Sequence, residues 1–306
     1  MYRIIEVHPE TLENIESVGS KEKFWFSDKE LGQCLFKKSR DLAGDEWSEK
    51  IGCEVARLLG LPHAEYELGQ FEGQRGIVSP NFALPPKRLV LGNELLAKWV
   101  NGYGHSERRL EKRQHALPRV LSLIKVLVKY SQLAAPIDWD PPPGVACTAE
   151  SAFVGYLMLD VLIANQDRHH ANWGLVNVPP KTIHLAPTFD HASSLGTGET
   201  DEGRKARLTT RDKNRAMSAY VKKGKSAFYL PNATKPLGSL DAFWGACRWF
   251  PTEGTSWLAV LRSVKLEQLR EVVDAVPDCF MTEPMRDFAF RVMELNRLRL
   301  LNEVER

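Results

Sequence analysis

The sequence predicts an α+β chain of two lobes, a small strand-rich one over residues 1–82 and a larger, mainly helical one over residues 83–306. Three observations carry this. In the first hundred residues, short apolar runs such as Phe24-Trp25-Phe26 and Cys34-Leu35-Phe36 are separated by turn residues, the signature of strands and hairpins. Further on, apolar residues recur at three- and four-residue spacing, the period of helices. Between the two, Ser79-Pro80-Asn81-Phe82 reads as an extended crossing from one lobe to the other.

Composition narrows the function classes. A chain of 306 residues can bury a large core, and a net charge of +2 gives no global attraction to nucleic acid or membrane, so neither is expected as a direct partner. Cys34, Cys53, Cys147, Cys247 and Cys279 lie far apart with no metal-type pair, which suits reduced thiols in a cytoplasm. The opening MYRIIEVHPETLENIE carries acids and no apolar signal core. The longest apolar run, Leu117 to Ala135, is broken by Arg119, Lys125 and Lys129 and reads as a buried helix. A soluble, cytoplasmic protein is expected.

Taken in order, a short acidic lead is followed by Ser17-Val18-Gly19-Ser20-Lys21-Glu22-Lys23, which links it to the strand Phe24–Phe26. Ser27 to Gly32 turns and Gln33 to Lys37 returns; strand alternation puts Lys37 and Lys38 on opposite faces. From Asp45 to Leu59, Trp47, Ile51, Val55 and Leu58 recur at helical spacing until Gly60 and Pro62 stop them; the acids there are Glu46, Glu49 and Glu54. His63 to Leu68 and Gly76 to Val78 are short strands about a turn at Glu72-Gly73-Gln74. Residues 83–115 are basic and irregular and read as a linker or surface loop. Leu117 to Leu133 is a helix with a broad apolar face, and four prolines between Pro136 and Gly144 break the chain again. The helix Ala152 to Ala164 is apolar nearly all round and belongs in the core, with Asp160 a satisfied carboxylate on its face. Asp201 to Lys225 holds nine Lys or Arg and three acids with few apolar residues; it reads as a mobile, solvated loop or as a segment whose basic groups meet an acidic substrate or a phosphorylated loop. Two amphipathic helices end the chain, one from Leu258 through Val276 and one from Met285 through Leu298. Trp244, Trp249 and Trp257 fill the core around them.

The chemistry concentrates between Asn165 and Leu195. Asp167 and Asp190 flank Asn172, and Trp173 to Val178, Pro179-Pro180 and Lys181 to Leu185 form a hairpin that brings Asn172 and Asp190 together at one end. A carboxylate, an amide oxygen five residues on and a second carboxylate after a return strand suit phosphoryl transfer. Asp167 would orient or deprotonate the acceptor hydroxyl, and Asn172 and Asp190 are hard oxygen ligands for Mg²⁺ on ATP phosphates. Helix caps and an Asx turn would not require three polar groups at these spacings.

The run Asp167-Arg168-His169-His170-Ala171-Asn172-Trp173-Gly174, with Ala186-Pro187-Thr188-Phe189-Asp190-His191-Ala192-Ser193-Ser194-Leu195-Gly196, resembles the catalytic and metal-binding segments of HipA-like kinases. The first half also resembles the Asp-Arg-His-x-x-Asn of phosphoinositide kinases. No Gly follows Asp190, and Arg168 follows rather than precedes the aspartate, departures that fit the HipA-like pattern better than that of ordinary protein kinases. The resemblance implies a protein-kinase-like fold, ATP and Mg²⁺ as cofactors, and a protein Ser/Thr as acceptor, the chain itself included. It makes Lys37 the phosphate-contacting lysine, Glu49 its partner from the following helix, and Ser17, Gly19 and Ser20 a phosphate loop. The crossing with Ser79, Asn81 and Phe82 would offer backbone groups to adenine, with Ile77 as an apolar wall. Because the chain begins almost at the small lobe, it resembles the short members of the family. Any antitoxin or regulator would then be a separate chain, and toxin activity is left open. A phosphoinositide or small-molecule kinase is the alternative. A metal-dependent phosphohydrolase built on Asp167, His169, His170, Asp190 and His191, or a nucleotide-binding pseudokinase, stands further off.

Overall fold

The computed structural model describes residues 1–15, 22–40, 44–103 and 113–302. The N-terminal part is a curled sheet built from β1 (Ile4–Val7), β2 (Leu12–Ile15), β3 (Lys23–Asp28), β4 (Gly32–Lys38), β5 (Glu67–Phe71) and β6 (Gln74–Pro80), in the order β1-β5-β6-β4-β3-β2. Only β1 and β5 run parallel; every other pair is antiparallel. The acidic lead is thus part of the sheet. Its strands β1 and β2 form the two edges, a role that short polar-flanked segments do not announce by alternation.

Pairing register decides what each face carries. Phe24, Phe36 and Val78 fall on one face with Val7, Phe26 and Cys34 and close a small apolar cluster. Phe36 is almost wholly buried, stacked on Phe24 at 5.1 Å. Its ring lies over the paired residues Gly69 and Gly76, where a Cβ on Gly76 would meet Phe36 at 2.4 Å, so both must lack side chains. The neighbouring residues Leu35, Lys37, Ile77 and Ser79 face the other way, as the strand period of two requires.

Helix α1 (Asp45–Leu58) crosses that second side and buries Trp47, Ile51 and Val55 in the main core. The segment expected to be irregular instead holds β7 (Arg88–Leu91) and α2 (Gly92–Trp99). Isolated sequence could not show this, because β7 is fixed by pairing with β8 (Gly174–Val178), more than eighty residues away. With β9 (Thr182–Leu185) they make a three-stranded antiparallel sheet, β7-β8-β9. The hairpin predicted after Asn172 is therefore present and gains a third strand.

The remainder is helical: α3 (Leu117–Lys129), α4 (Ala149–Leu162), α5 (Asp201–Thr209), α6 (Met217–Lys222), α7 (Ser239–Trp249), α8 (Pro251–Ser263), α9 (Leu266–Asp274) and α10 (Glu283–Asn302). The central one, α4, is buried over almost its whole length and packs against α7, α8 and α10. Thr148 caps it, its hydroxyl accepting from Ser151 N–H at 3.1 Å. Two expectations are corrected here. The basic segment 201–225 is largely helical, in α5 and α6, and the single helix expected from Leu258 to Val276 is two, α8 and α9, divided at Val264-Lys265. Among the described residues no helix is long and apolar enough to cross a membrane.

Truncating Phe36 to Ala should remove the centre of the small cluster and cost about 3–5 kcal/mol. Denaturant unfolding would show this as a lowered midpoint at unchanged slope.

Candidate active site

Five segments meet where the two parts face each other: β4 and β6 above, the crossing at 79–82 behind, and the loops after α4 and β9 below. A cleft of about 760 Å³ lies between them, lined by Lys37, Ile77, Ser79, Phe82, Ala171 and Asp190 among others. The volume is within the ~300–1,000 Å³ typical of small-molecule sites. The sequence-predicted residues Lys37, Ile77, Ser79, Asn81, Phe82 and Asp190 all line this one cleft. Ser17, Gly19 and Ser20 lie outside the described residues. The strands that flank them are placed: Ile15 pairs with Phe24, and Lys23 lies opposite Lys37.

The lower wall is built from the end of α4. Asp160, on its last turn, accepts from Arg168 at two points, Nε at 2.8 Å and Nη2 at 2.6 Å, and from Asn165 Nδ2 at 2.8 Å. Arg168 is wholly buried, and its Nη1 donates to the Asn172 carbonyl at 3.0 Å. Asn172 Nδ2 donates in turn to the Asp167 carbonyl at 2.7 Å. The chain from 165 to 172 is closed into a loop by these bonds. Asp167 stands out from it half-exposed, with His169 Nε2 3.8 Å from its carboxylate. The adjacent His170 turns away, its Nδ1 2.7 Å from the Tyr103 hydroxyl.

Beyond β9 the backbone turns at Asp190, whose φ of 58° lies in the left-handed region that a bulkier residue avoids. The Asp190 N–H donates to the Tyr66 hydroxyl at 3.2 Å, and its carboxylate accepts from Lys37 Nζ at 3.0 Å. Burial pulls the Lys37 ammonium down, but the carboxylates of Asp190 and then Glu49 outweigh it, and the net direction is upward. Tyr66 is pushed well up, first by burial and then by the same two acids, so it keeps its proton.

Glu49 is close enough to Lys37 for its charge to raise the ammonium, but its hydrogen bond goes elsewhere. Its Oε1 accepts from the His191 backbone N–H at 2.6 Å and lies 3.4 Å from His191 Nδ1, while the hydrogen bond of Lys37 goes to Asp190. Helix α1 comes close enough for this because Gly52 lets the His191 side chain pass; a Cβ there would stand 2.8 Å from His191 Cβ. The other two helix acids are used elsewhere. Glu54 pairs with Lys50 and Arg57, and Glu46 is buried and pushed up by burial. The crossing is tied to β4, Asn81 donating from N–H at 2.9 Å and Nδ2 at 2.8 Å to Gln33.

Asn172 and Asp190 offer a carboxamide and a carboxylate oxygen, a donor set suited to Mg²⁺. The amide nitrogen of Asn172 is committed to the Asp167 carbonyl, which leaves its oxygen as the available ligand atom. The imidazoles do not converge: His191 Nε2 is 2.8 Å from Thr188 Oγ1, His169 Nδ1 accepts from Ala171 N–H, and His170 is on Tyr103. Among the described residues the one cluster whose ligand atoms gather is Cys53, His63 and Glu65. It already contains Arg57, bonded to Glu65, and burial pushes the Cys53 thiol up to about 12, so it is a poor metal site.

Tyr66 carried no signal in the sequence; Arg168 and His191 stood in the motifs, His191 as a candidate metal ligand, but their contacts with Asp160 and Glu49 were not legible there. Asp160 was legible as a helix-face carboxylate two turns before Asp167; that its partner is Arg168, the neighbour of Asp167, was not.

Among solved structures, the chain is similar to the proinflammatory kinase CtkA of Helicobacter pylori, with a TM-score of 0.70 and 19% identity over 98% of this chain and 94% of that one. It is also similar to HipA of Shewanella oneidensis MR-1, solved as a toxin–antitoxin complex with HipB and operator DNA. There the TM-score is 0.54 and the identity 14%, over 95% of this chain and 67% of that one. No family model matches the chain, and no curated protein does. At these identities the likeness is one of fold, a two-lobed kinase-like architecture, and HipA is the family that the Asp167 and Asp190 segments resemble.

Replacing Asp160 by Asn would leave the buried Arg168 guanidinium without its counter-charge and should cost about 3–5 kcal/mol in denaturant unfolding. A pH effect follows from His115, whose Nε2 accepts from Trp173 Nε1 at 3.0 Å while Nδ1 faces the Ala227 carbonyl at 3.1 Å. Burial pushes this imidazole down to about 3. It therefore folds neutral, and its contribution is complete above the ordinary histidine value of 6.5 and lost as pH falls from there toward 3. The melting temperature should fall between pH 6.5 and 4.5, and less steeply in His115→Gln.

Proposed function

We propose that this chain is an ATP- and Mg²⁺-dependent kinase that transfers the γ-phosphate to a Ser or Thr hydroxyl of a protein. One observation carries the reading. The loop 166–171 touches two cavities: its Ala171 lines the large cleft under Lys37, and its Gln166, Asp167, His169 and His170 line a small one of about 230 Å³ together with Lys225 and Tyr229. A transferase needs such an arrangement, with the nucleotide on one side and the acceptor on the other of a carboxylate that can take the acceptor proton.

The roles follow from position. Lys37 presents its ammonium in the cleft where the nucleotide phosphates would lie. Ile77 and Phe82 give apolar walls for a base. Asn172 and Asp190 would hold Mg²⁺, which neutralises charge on the phosphates when bound. Glu49 acts through the His191 N–H, fixing the backbone next to Asp190. Asp167 meets the acceptor hydroxyl. The division into lobes falls near residue 82, at the crossing behind the cleft. The likeness to HipA makes a separate-chain antitoxin or regulator the partner class to look for, and the likeness to two kinases supports phosphotransfer over hydrolysis.

The test is transfer of labelled γ-phosphate from ATP with Mg²⁺, followed by mapping of the labelled residue. Asp167→Asn should lower transfer at least ~100-fold, within the range of general-base catalysis, while leaving nucleotide-dependent thermal stabilisation in place. Label on a hydroxyl in the wild type alone would establish the activity. Phosphate ester hydrolysis without ATP binding would refute it.

A further inference from the structure

We infer that the acceptor is an acidic stretch of polypeptide, a hydroxyl residue flanked by carboxylates, and that Lys225 is the residue that selects it; this rests on the kinase reading above. The cavity beside Asp167 is lined on one side by Gln166, Asp167 and His169 and on the other by Lys225, Ser226 and Ala227. At about 230 Å³ it falls below the ~300–1,000 Å³ of pockets that enclose small molecules. It suits a side chain of a polypeptide whose neighbours remain outside, at the mouth.

The mouth is rigid and positive. Residues 226–229 are pinned on both sides: Ser226 N–H donates to Leu237 at 2.9 Å, Tyr229 N–H to His115 at 3.1 Å, and Leu117 N–H to the Tyr229 carbonyl at 2.9 Å. Lys225 stands exposed at the end of this pinned strip, and among the described residues no carboxylate lies within ion-pair distance of it. It also closes a run of surface charge. Of the nine Lys and Arg between 201 and 225, Arg204 and Arg207 are paired, with Asp201 and Glu199. The other seven are exposed and have no carboxylate partner among the described residues, against two exposed acids, Glu202 and Asp212.

Such a surface draws in carboxylates and disfavours basic partners through long-range electrostatics. A single-stranded nucleic acid would feel the same field, but holding its bases by stacking takes open aromatic faces. The aromatic in the run, Tyr220, is packed edge-on against Phe288 at 5.0 Å and under Arg207, and the half-buried Tyr229 belongs to the wall of the narrow cavity itself. Acidic polypeptide is the partner that both the narrow cavity and the charge fit.

The experiment compares peptide substrates that carry one Ser among Glu residues, the same Ser among Gln, and the same Ser among Lys. Each is assayed for phosphate transfer and for ADP release with the wild type, Lys225→Gln and Lys225→Glu, at low and high salt. The wild type should prefer the Glu peptide about tenfold in kcat/KM, mostly through KM, and added salt should shrink the preference. Lys225→Gln should lose most of it, and Lys225→Glu should turn toward the Lys peptide, a reversal that loss of structure cannot produce. Equal use of Glu and Gln peptides by a wild type that turns over ATP would overturn the proposal and leave the kinase reading standing. So would displacement of the Glu peptide by single-stranded RNA bound in its place. Absence of both ADP release and nucleotide binding with every peptide would remove the kinase reading and this inference with it.

Discussion

Arg168 is a fully charged side chain with essentially no exposure to water, and the site depends on how it is neutralised. Asp160 meets it with both oxygens, from the last turn of a helix buried on all sides. Removing two charges from water is costly, and the cost is offset only when the geometry is bidentate and the remaining donors are used. Here the remaining donor holds the Asn172 carbonyl, so neutralising the arginine fixes the loop that carries Asp167 and Asn172. A helix buried over almost its whole length thereby sets the position of the groups assigned to chemistry.

A second connection joins the two parts across the cleft. Glu49 reaches from α1 to the His191 N–H, and Lys37 reaches from β4 to the Asp190 carboxylate. Asp190 lies between them in a left-handed backbone conformation that isolated sequence would not favour. Both contacts join the sheet and its helix to the residue after β9, and a shift of α1 would be felt at Asp190 before it was felt at Asp167. The helix can approach because residue 52 is glycine.

The chemistry-bearing residues were legible because their spacing is local. Asp167, Asn172 and Asp190 sit on one loop and the far end of one hairpin, and the turn at Pro179-Pro180 between alternating strands announced that hairpin. Lys37 was legible from the strand period, which separates it from Lys38. The partners were less so. Glu49 was expected on Lys37 and raises it through charge, but its hydrogen bond goes to the His191 backbone, since three acids on one helix differ only in the direction they face after docking. Strand β7 and the edge strands β1 and β2 escaped notice because each is short and is made a strand by a partner distant in sequence. The basic segment 201–225 read as loop for want of apolar residues, yet Thr200 caps α5, with Gly203 N–H donating to its hydroxyl, and the buried Arg204 anchors it.

The sequence by itself determined the fold class, the central strands and the main helices, and the residue types at the site, because side-chain periodicity and turn chemistry act over a few residues. Tertiary structure alone decided which carboxylate meets which cation, and that the loop at 166–171 touches both a large cavity and a small one. The reason is physical: the energy of a buried charge depends on every group packed around it, and those groups come from segments that are neighbours only after the chain has folded.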